Sequence, residues 1–329
     1  MRVAIDAMGG DYAPHEIIKG AVEAARKLGV TIVLTGDEAA IKSELSSYST
    51  GPAFSCEVVP TTQVITFHDH PSEALRLRKD SSLYRSIQLV AQGKCDAIVS
   101  AGNTGAQMAI SLFVLGRIRG VLRPGLITPV PSLTGDPSYF IDVGAVSDCV
   151  PENILQFARM GQVYCSLVTG KQTPTVGLLN IGEEAEKGSR PAIEAHKLLS
   201  SRDPAFVGNI EPKDVFRHAA DVVVSDGFTG NIFTKTIEGT AEALFGLIKS
   251  ALGNSLKGKI GGALARGDLR MVKEKLDYSQ YGGAPLLGVK GISVVCHGRS
   301  DATAIYHAIR VAKDVSDQGL VKKLEALWA

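Results

Sequence analysis

Two short runs of this chain have nearly the same layout of groups that bind anions. Asp96-Ala-Ile-Val-Ser-Ala-Gly-Asn-Thr-Gly-Ala106 returns as Asp221-Val-Val-Val-Ser-Asp-Gly-Phe-Thr-Gly-Asn231. Each is an apolar run, then Ser-x-Gly-x-Thr-Gly, then a helix-like segment. That pattern predicts a buried strand emptying into a glycine turn at a helix start, where N–H groups, hydroxyls and the positive end of the helix dipole face an anion. The residues offered for binding are Ser100, Gly102, Asn103 and Thr104 in the first copy. In the second they are Asp226, Gly227, Thr229 and Gly230, with Asn231 placed to donate a hydrogen bond.

Three other strand exits carry polar groups. Asp6-Ala-Met-Gly9-Gly10-Asp11 sets two glycines between aspartates, a sharp turn beside a ligand or a plain strand-to-helix turn. Lys187-Gly188 closes an acidic loop after Val176–Ile181, so its ammonium either neutralises an anion or sits in a solvated charged loop. His297-Gly298-Arg299-Ser300-Asp301 precedes the last long helix, where Ser300 or Asp301 also serves as a plain N-cap.

Other chemistries lack their residues. There is no G-x-G-x-x-G, G-x-S-x-G or H-E-x-x-H. His68-Asp69-His70 reads as a surface loop, so neither metal nor cofactor is expected. The five cysteines are scattered without a pairing pattern and read as reduced thiols.

The elements that must position these groups follow from the hydrophobic pattern. Strands are expected at Val3–Asp6, Thr31–Leu34, Cys56–Pro60, Ala97–Ser100, Leu126–Val130, Tyr139–Val143, Val176–Ile181, Val222–Ser225 and Ile292–Cys296. Helical periodicity covers Ile17–Leu28, Ser86–Ala91, Ala106–Ile118, Ile154–Leu167, Ala192–Leu199, Ile232–Leu252 and Ala302–Val315. Alternation of this kind predicts a mostly parallel sheet covered on both faces, with ligands at the carboxyl ends of the strands. No Pro/Ser-rich linker divides the 329 residues, so the expectation is one three-layer α/β/α domain over 1–329.

Apolar residues at 45% allow a large core, and a net charge of +1 gives no field for nucleic acid. No signal peptide or spanning segment is expected, which places the protein in the cytoplasm. One segment breaks the neutral balance. Gly246–Lys275 holds Lys249, Lys257, Lys259, Arg266, Arg270, Lys273 and Lys275 against Asp268 and Glu274. Leu256, Ile260 and Leu264 fall on one helical face, so a hairpin broken near Gly253-Asn254 would show an apolar edge framed by Lys257 and Lys259. A membrane surface, an acidic partner or the protein's own core would each fit that edge.

Taken in order, these segments resemble the acyl-acyl carrier protein:phosphate acyltransferase (PlsX) family. The matching runs include Ile5-Asp-Ala-Met-Gly-Gly-Asp11, Ser100-Ala-Gly-Asn-Thr-Gly-Ala106, Gly116-Arg-Ile118 and Asp142-Val-Gly-Ala145. Met160-Gly161, Gly177-Leu-Leu-Asn180, Lys187-Gly188, Ser225-Asp-Gly-Phe-Thr-Gly-Asn231, Tyr281-Gly-Gly-Ala284 and His297-Gly298 continue it. Val146 and Val150 stand where the family carries Asn and Lys, and Ser189 where it carries Asn, so the 146–150 loop is left out of the expected site.

The resemblance implies a fold like the isocitrate and isopropylmalate dehydrogenases, a homodimer, and peripheral membrane association. It also implies a reaction, in which a long-chain acyl group passes from acyl carrier protein to inorganic phosphate for phospholipid synthesis. Phosphate needs no side-chain nucleophile, consistent with finding none. On this reading Lys187, Asn231 and His297 are the catalytic candidates, while Asp6, Gly9, Gly10 and the two turns bind substrate. Leu256, Lys257, Lys259, Ile260 and Leu264 contact membrane or carrier protein. Two competing expectations are a phosphotransacetylase-like enzyme using acyl-coenzyme A and a non-enzymatic ligand-binding module at a membrane.

Overall fold

The computed structural model describes residues 1–48, 55–276 and 282–329, without the side chains of 273–276. Tyr281 and the side chains of Lys273, Glu274 and Lys275 therefore lie outside the described residues.

The first half contains β1 (Arg2–Asp6), α1 (His15–Leu28), β2 (Thr31–Gly36), α2 (Glu38–Leu45) and β3 (Cys56–Pro60). It continues through α3 (Pro71–Leu77), α4 (Ser82–Ala91), β4 (Ala97–Ser100) and α5 (Thr104–Ile110). Then come β5 (Gly125–Val130), β6 (Ser138–Ile141), α6 (Pro151–Thr169), β7 (Val176–Leu179), α7 (Arg190–Arg202) and β8 (Phe206–Ile210). A single turn, α8 (Pro212–Val215), leads to β9 (Val222–Val224) and the 27-residue α9 (Gly227–Gly253). The chain closes with α10 (Leu256–Leu264), α11 (Arg266–Leu276), β10 (Ala284–Leu287), β11 (Ile292–Val295), α12 (Ala302–Asp317) and α13 (Leu320–Ala326).

Among the described residues the strands form one sheet in the order β3-β2-β1-β4-β11-β10-β5-β6-β9-β7-β8. Pairing is parallel except where β10 meets β11 and β5, and where β5 meets β6. The β1–β4–β11 group and the β6–β9–β7 group therefore run in opposite senses. Carboxyl ends are where ligands of α/β sheets gather, and α9, which follows β9, reaches His297 at the exit of β11.

The core strands show why a sheet forms. Val3–Ile5, Ala97–Val99 and Val222–Val224 are fully buried, as strands covered on both faces should be. Helices α1 and α12 pack on one another over the amino-terminal half, and α6 covers β6 and β9. On the other face Phe140 of β6 stacks on Phe233 of α9, ring centroids 5.2 Å apart.

Three expectations about elements need correction. The helix expected over Ala106–Ile118 ends earlier: α5 passes into a π-type turn, Ser111–Leu115, and stops at Gly116, whose φ of 82° ends regular helix. Strands β8 and β10 were not expected. Gly208 and Pro285 interrupt their patterns, and only sheet pairing defines them as strands.

The expected break at Gly253-Asn254 is present, and the basic segment falls on the end of α9, on α10 and on α11. Gly258 lets α10 close on α9, since a methyl there would meet the Leu252 carbonyl oxygen at 2.6 Å. Leu256, Ile260 and Leu264 remain 76%, 56% and 83% exposed on α10, so they do not pack into this chain's core. No helix among the described residues is long and apolar enough to cross a membrane.

Candidate functional site

The first glycine turn leaves β4 and packs against the exit of β1. Ser100 Oγ donates to Asp6 Oδ2 at 2.7 Å and accepts from Gly102 N–H at 3.0 Å. Gly9 is required at this junction, because a side chain would overlap Asp6 Oδ2 and come within 2.9 Å of Gly102 N. Asp6 is buried, and burial pushes its carboxyl above the usual range. Asn103 caps α5 by accepting from Ala106 N–H, while its Nδ2 donates to the Thr66 and Asp69 carbonyls, each at 3.0 Å. Asp11 N–H binds the Gly298 carbonyl at 2.8 Å, which joins the His297–Gly298 exit of β11 to this corner. The side chains of Ser100 and Asn103, expected to face an anion, are thus engaged within the protein, whereas Thr104 is exposed. His68 and His70 lie in the loop against Asn103, and His70 Nδ1 meets Ser72 Oγ.

The second turn leaves β9 and is organised around Asp142, at the exit of β6. Asp142 is fully buried and accepts N–H bonds from Leu126, Gly144, Ala145 and Val146 at 2.8–3.1 Å. Burial pushes its carboxyl up to about 6, and these backbone donors oppose the rise. Gly227 fits under Val146 only without a side chain: a methyl would sit 2.6 Å from Asp142 Oδ2. Asp226 caps α9, accepting from Thr229 N–H at 2.8 Å and Thr229 Oγ1 at 2.7 Å. Asn231 is exposed, beside Gly144. Lys187 lies in a loop pinned by Asn180, whose Nδ2 donates to the Lys187 carbonyl at 3.0 Å, and the next residues, Gly188 and Ser189, face this turn across a shared pocket. Its side chain is exposed and pairs with no carboxylate among the described residues.

Between these elements opens a pocket of about 470 Å³. Ile154, Leu178, Leu179 and Ala195 form its apolar wall, and Asn180, Ser189, Ser225, Asp226 and Thr229 its polar rim. Cys149 also lines it, but burial pushes that thiol up to about 12, so it stays protonated and is no nucleophile.

Helix α9 links the two copies of the turn. Lys235, one turn beyond Asn231 and on the same face, places Nζ 2.9 Å from His297 Nε2 and 2.9 Å from Glu238 Oε2. Glu242, further along that face, pairs with Arg299 at 3.1 Å. Burial first, then the Lys235 charge, holds the His297 imidazole below its usual pKa, which favours the neutral ring at pH 7. Sequence reasoning missed Lys235 and Asp142. The four-residue spacing from Asn231 pointed to Lys235, whereas no local signal marked Asp142 as the hub of its loop. Asp301, one of the two expected caps, does cap α12 by accepting from Ala304 N–H at 2.9 Å.

Comparison with known proteins adds the lineage. A family model described as "Fatty acid synthesis protein" matches residues 1–323. A phosphate acyltransferase of Heliobacterium modesticaldum is 46% identical over 325 residues, covering 99% of this chain and 97% of that protein. One from Dictyoglomus turgidum is 46% identical over 326 residues, covering 98% and 96%. Among solved structures, a phosphotransacetylase from Streptococcus pyogenes superimposes with a TM-score of 0.63 at 13% identity, covering 97% of this chain and 94% of that one. A branched-chain phosphotransacylase from Enterococcus faecalis gives 0.58 at 13% identity, covering 96% and 99%. At such identities the likeness concerns the fold.

Proposed function

This chain belongs to the fatty acid synthesis protein family of phosphate acyltransferases, and from that premise we propose that its acyl donor is the thioester of an acyl carrier protein. The enzyme is an acyltransferase that moves an acyl group to phosphate. The observation carrying the site assignment is the pocket at the ends of β7 and β9. Its apolar wall suits an acyl chain, and its rim suits an anion.

Near neutral pH phosphate is largely dianionic, as phosphomonoesters with a second pKa of about 6 are. A phosphate oxygen attacks the thioester carbonyl, the tetrahedral oxyanion forms, and the C–S bond breaks. The proton lost by phosphate ends on the departing sulfur, so acyl phosphate and free thiol result. In this reading Lys187 neutralises phosphate or the oxyanion, and Asn231 donates to the oxyanion. Neutral His297, held by Lys235, lines the approach along α9. Backbone N–H groups of the Asp226–Gly230 turn hold the anion, while the Asp6, Gly9 and Gly10 corner supports the β11 exit.

The finer architecture belongs to the same reading: one domain over 1–329, a three-layer sandwich of the isocitrate and isopropylmalate dehydrogenase type, with a hairpin at 246–275. So do a homodimer and a cytoplasmic protein held peripherally at membranes. The exposed Leu256, Ile260 and Leu264 edge beside Lys257 and Lys259 supports a lipid contact.

Incubation with phosphate and acyl-acyl carrier protein, with hydroxylamine trapping of acyl phosphate, tests the donor. Phosphate-dependent product is expected, and equal efficiency with acyl-coenzyme A would favour the phosphotransacetylase-like alternative. Leu256→Glu with Leu264→Glu should abolish vesicle binding; unchanged binding rejects the lipid contact.

A further inference from the structure

From Ala97 to Gly135 the chain contains no aspartate or glutamate, and its charged residues there are Arg117, Arg119 and Arg123. The structure gathers all three on the loop between the π-type turn and β5. That loop is firmly held. Ile118 N–H donates to the Gly288 carbonyl at 3.0 Å, and Lys290 N–H to the Gly116 carbonyl at 2.9 Å. Gln156 of α6 accepts from Leu122 N–H at 2.7 Å and donates to the Gly120 carbonyl at 2.8 Å. Ile118 and Val121 are buried beneath it, and Arg117 donates to the Leu122 carbonyl of its own loop.

The consequence is a preorganised cationic surface. Arg117, Arg119, Arg123 and the adjoining Lys290 are all exposed, and none pairs with a carboxylate among the described residues. Several arginines elsewhere are paired, such as Arg2 with Glu57, Arg78 with Asp69 and Arg299 with Glu242. Four cations without counter-charge on one rigid surface attract an acidic macromolecule and steer its approach. Leu122, 44% exposed, adds an apolar contact at the centre of the loop.

The position also fits a donor that must reach the reaction site. The loop runs into the amino end of β5, which lies beside the carboxyl end of β6: Val143 N–H binds the Leu126 carbonyl at 3.1 Å. Gly144, the next residue, touches Asn231. The basic loop and the second glycine turn therefore share one edge of the sheet.

We propose that the Arg117–Arg123 loop is the docking surface for the acidic carrier protein that brings the acyl thioester. The proposal rests on the carrier-thioester reading above. It separates the two basic regions, since the hairpin cations border an apolar edge suited to lipid and the loop arginines do not.

The test uses Arg119→Glu/Arg123→Glu, which leaves Arg117 and its bond to Leu122 intact. Initial rates are measured with acyl-acyl carrier protein and with an acyl-pantetheine thioester, each with phosphate. The expected result is a rise of about tenfold or more in KM for the carrier substrate, with kcat and the carrier-free reaction unchanged. Added salt should raise the wild-type KM and barely affect the variant's. Arg119→Lys/Arg123→Lys should retain most of the affinity, and Arg119→Gln/Arg123→Gln serves if charge reversal disturbs folding. An unchanged carrier KM in a folded variant overturns the proposal. So does loss of binding to anionic vesicles at unchanged KM, which assigns the loop to lipid, or a change of mass in light scattering, which assigns it to a contact between copies. A wild-type chain that uses acyl-pantetheine but not the carrier-borne thioester removes the donor assignment itself, and the docking proposal with it.

Discussion

The corner built on Asp6 and Ser100 and the corner built on Asp142 and Ser225 begin from nearly the same turn and reach different ends. In the first, two of the turn's polar side chains are consumed: Ser100 binds Asp6, and Asn103 spans α5 and the Thr66–Asp69 loop. In the second, capping takes up Asp226 and Thr229, but Asn231 stays exposed and a pocket opens beside the turn. The glycine pattern fixes the backbone path. What the turn does depends on the neighbouring strand exits, which supply bonding partners in one corner and an apolar hollow in the other.

If chemistry belongs to the second corner, the largest effects arise there. Lys187→Ala and Asn231→Ala should each lower turnover by about 10²–10³-fold, or about 2.7–4 kcal/mol, at unchanged melting temperature. Full turnover in either folded variant breaks the assignment.

The buried hub of that corner should respond to pH. Asp142 titrates at about 6 in the folded protein, against about 3.9 in an unfolded chain. Between these values the folded state holds the extra proton, so stability falls as pH rises from about 4 to 6, by up to about 3 kcal/mol. Urea titrations across that window should show the slope in wild type and a flatter one in Asp142→Asn; equal slopes contradict it.

Gly227→Ala forces a methyl against Asp142 and Val146, with an expected loss of about 1–3 kcal/mol in urea unfolding. A variant as stable as wild type would show that the loop yields more easily than its bonding indicates. The smallest effect belongs to the first corner. Asn103→Ala should cost about 1 kcal/mol of stability as a lost cap while turnover changes less than tenfold, and a catalytic collapse there would erase the contrast.

Much of this was legible in the residues. Buried β-branched runs such as Val222–Val224 and the periodic stretch leading to Val315 declare their elements, because burial and helical period are local properties. Sheet order is not local. Nothing between Leu126 and Ile141 states that β5 and β6 pair antiparallel, yet that reversal sets the strands leading to the two glycine turns in opposite senses. Strand β8 escaped because Gly208 interrupts its pattern, and its pairing with β7 supplies what the side chains do not. At the site, Asn231 and Lys187 were visible from residue type at strand exits. Lys235 gains its meaning from His297, 62 positions away in sequence, and Asp142 from four backbone donors that only the folded loop brings round it.

Helix α9 sets an angular registry between the site and the basic segment. Its 27 residues extend about 40 Å at 1.5 Å each, and every residue turns the far end by about 100°. One residue inserted between Lys235 and Gly253 would swing the Leu256–Leu264 edge by over a quarter turn relative to Asn231, leaving both ends chemically intact. Four inserted residues would nearly restore the phase while moving that edge about 6 Å outward. The bearing of the apolar edge is therefore a property of the number of residues in this helix, as much as of which residues they are.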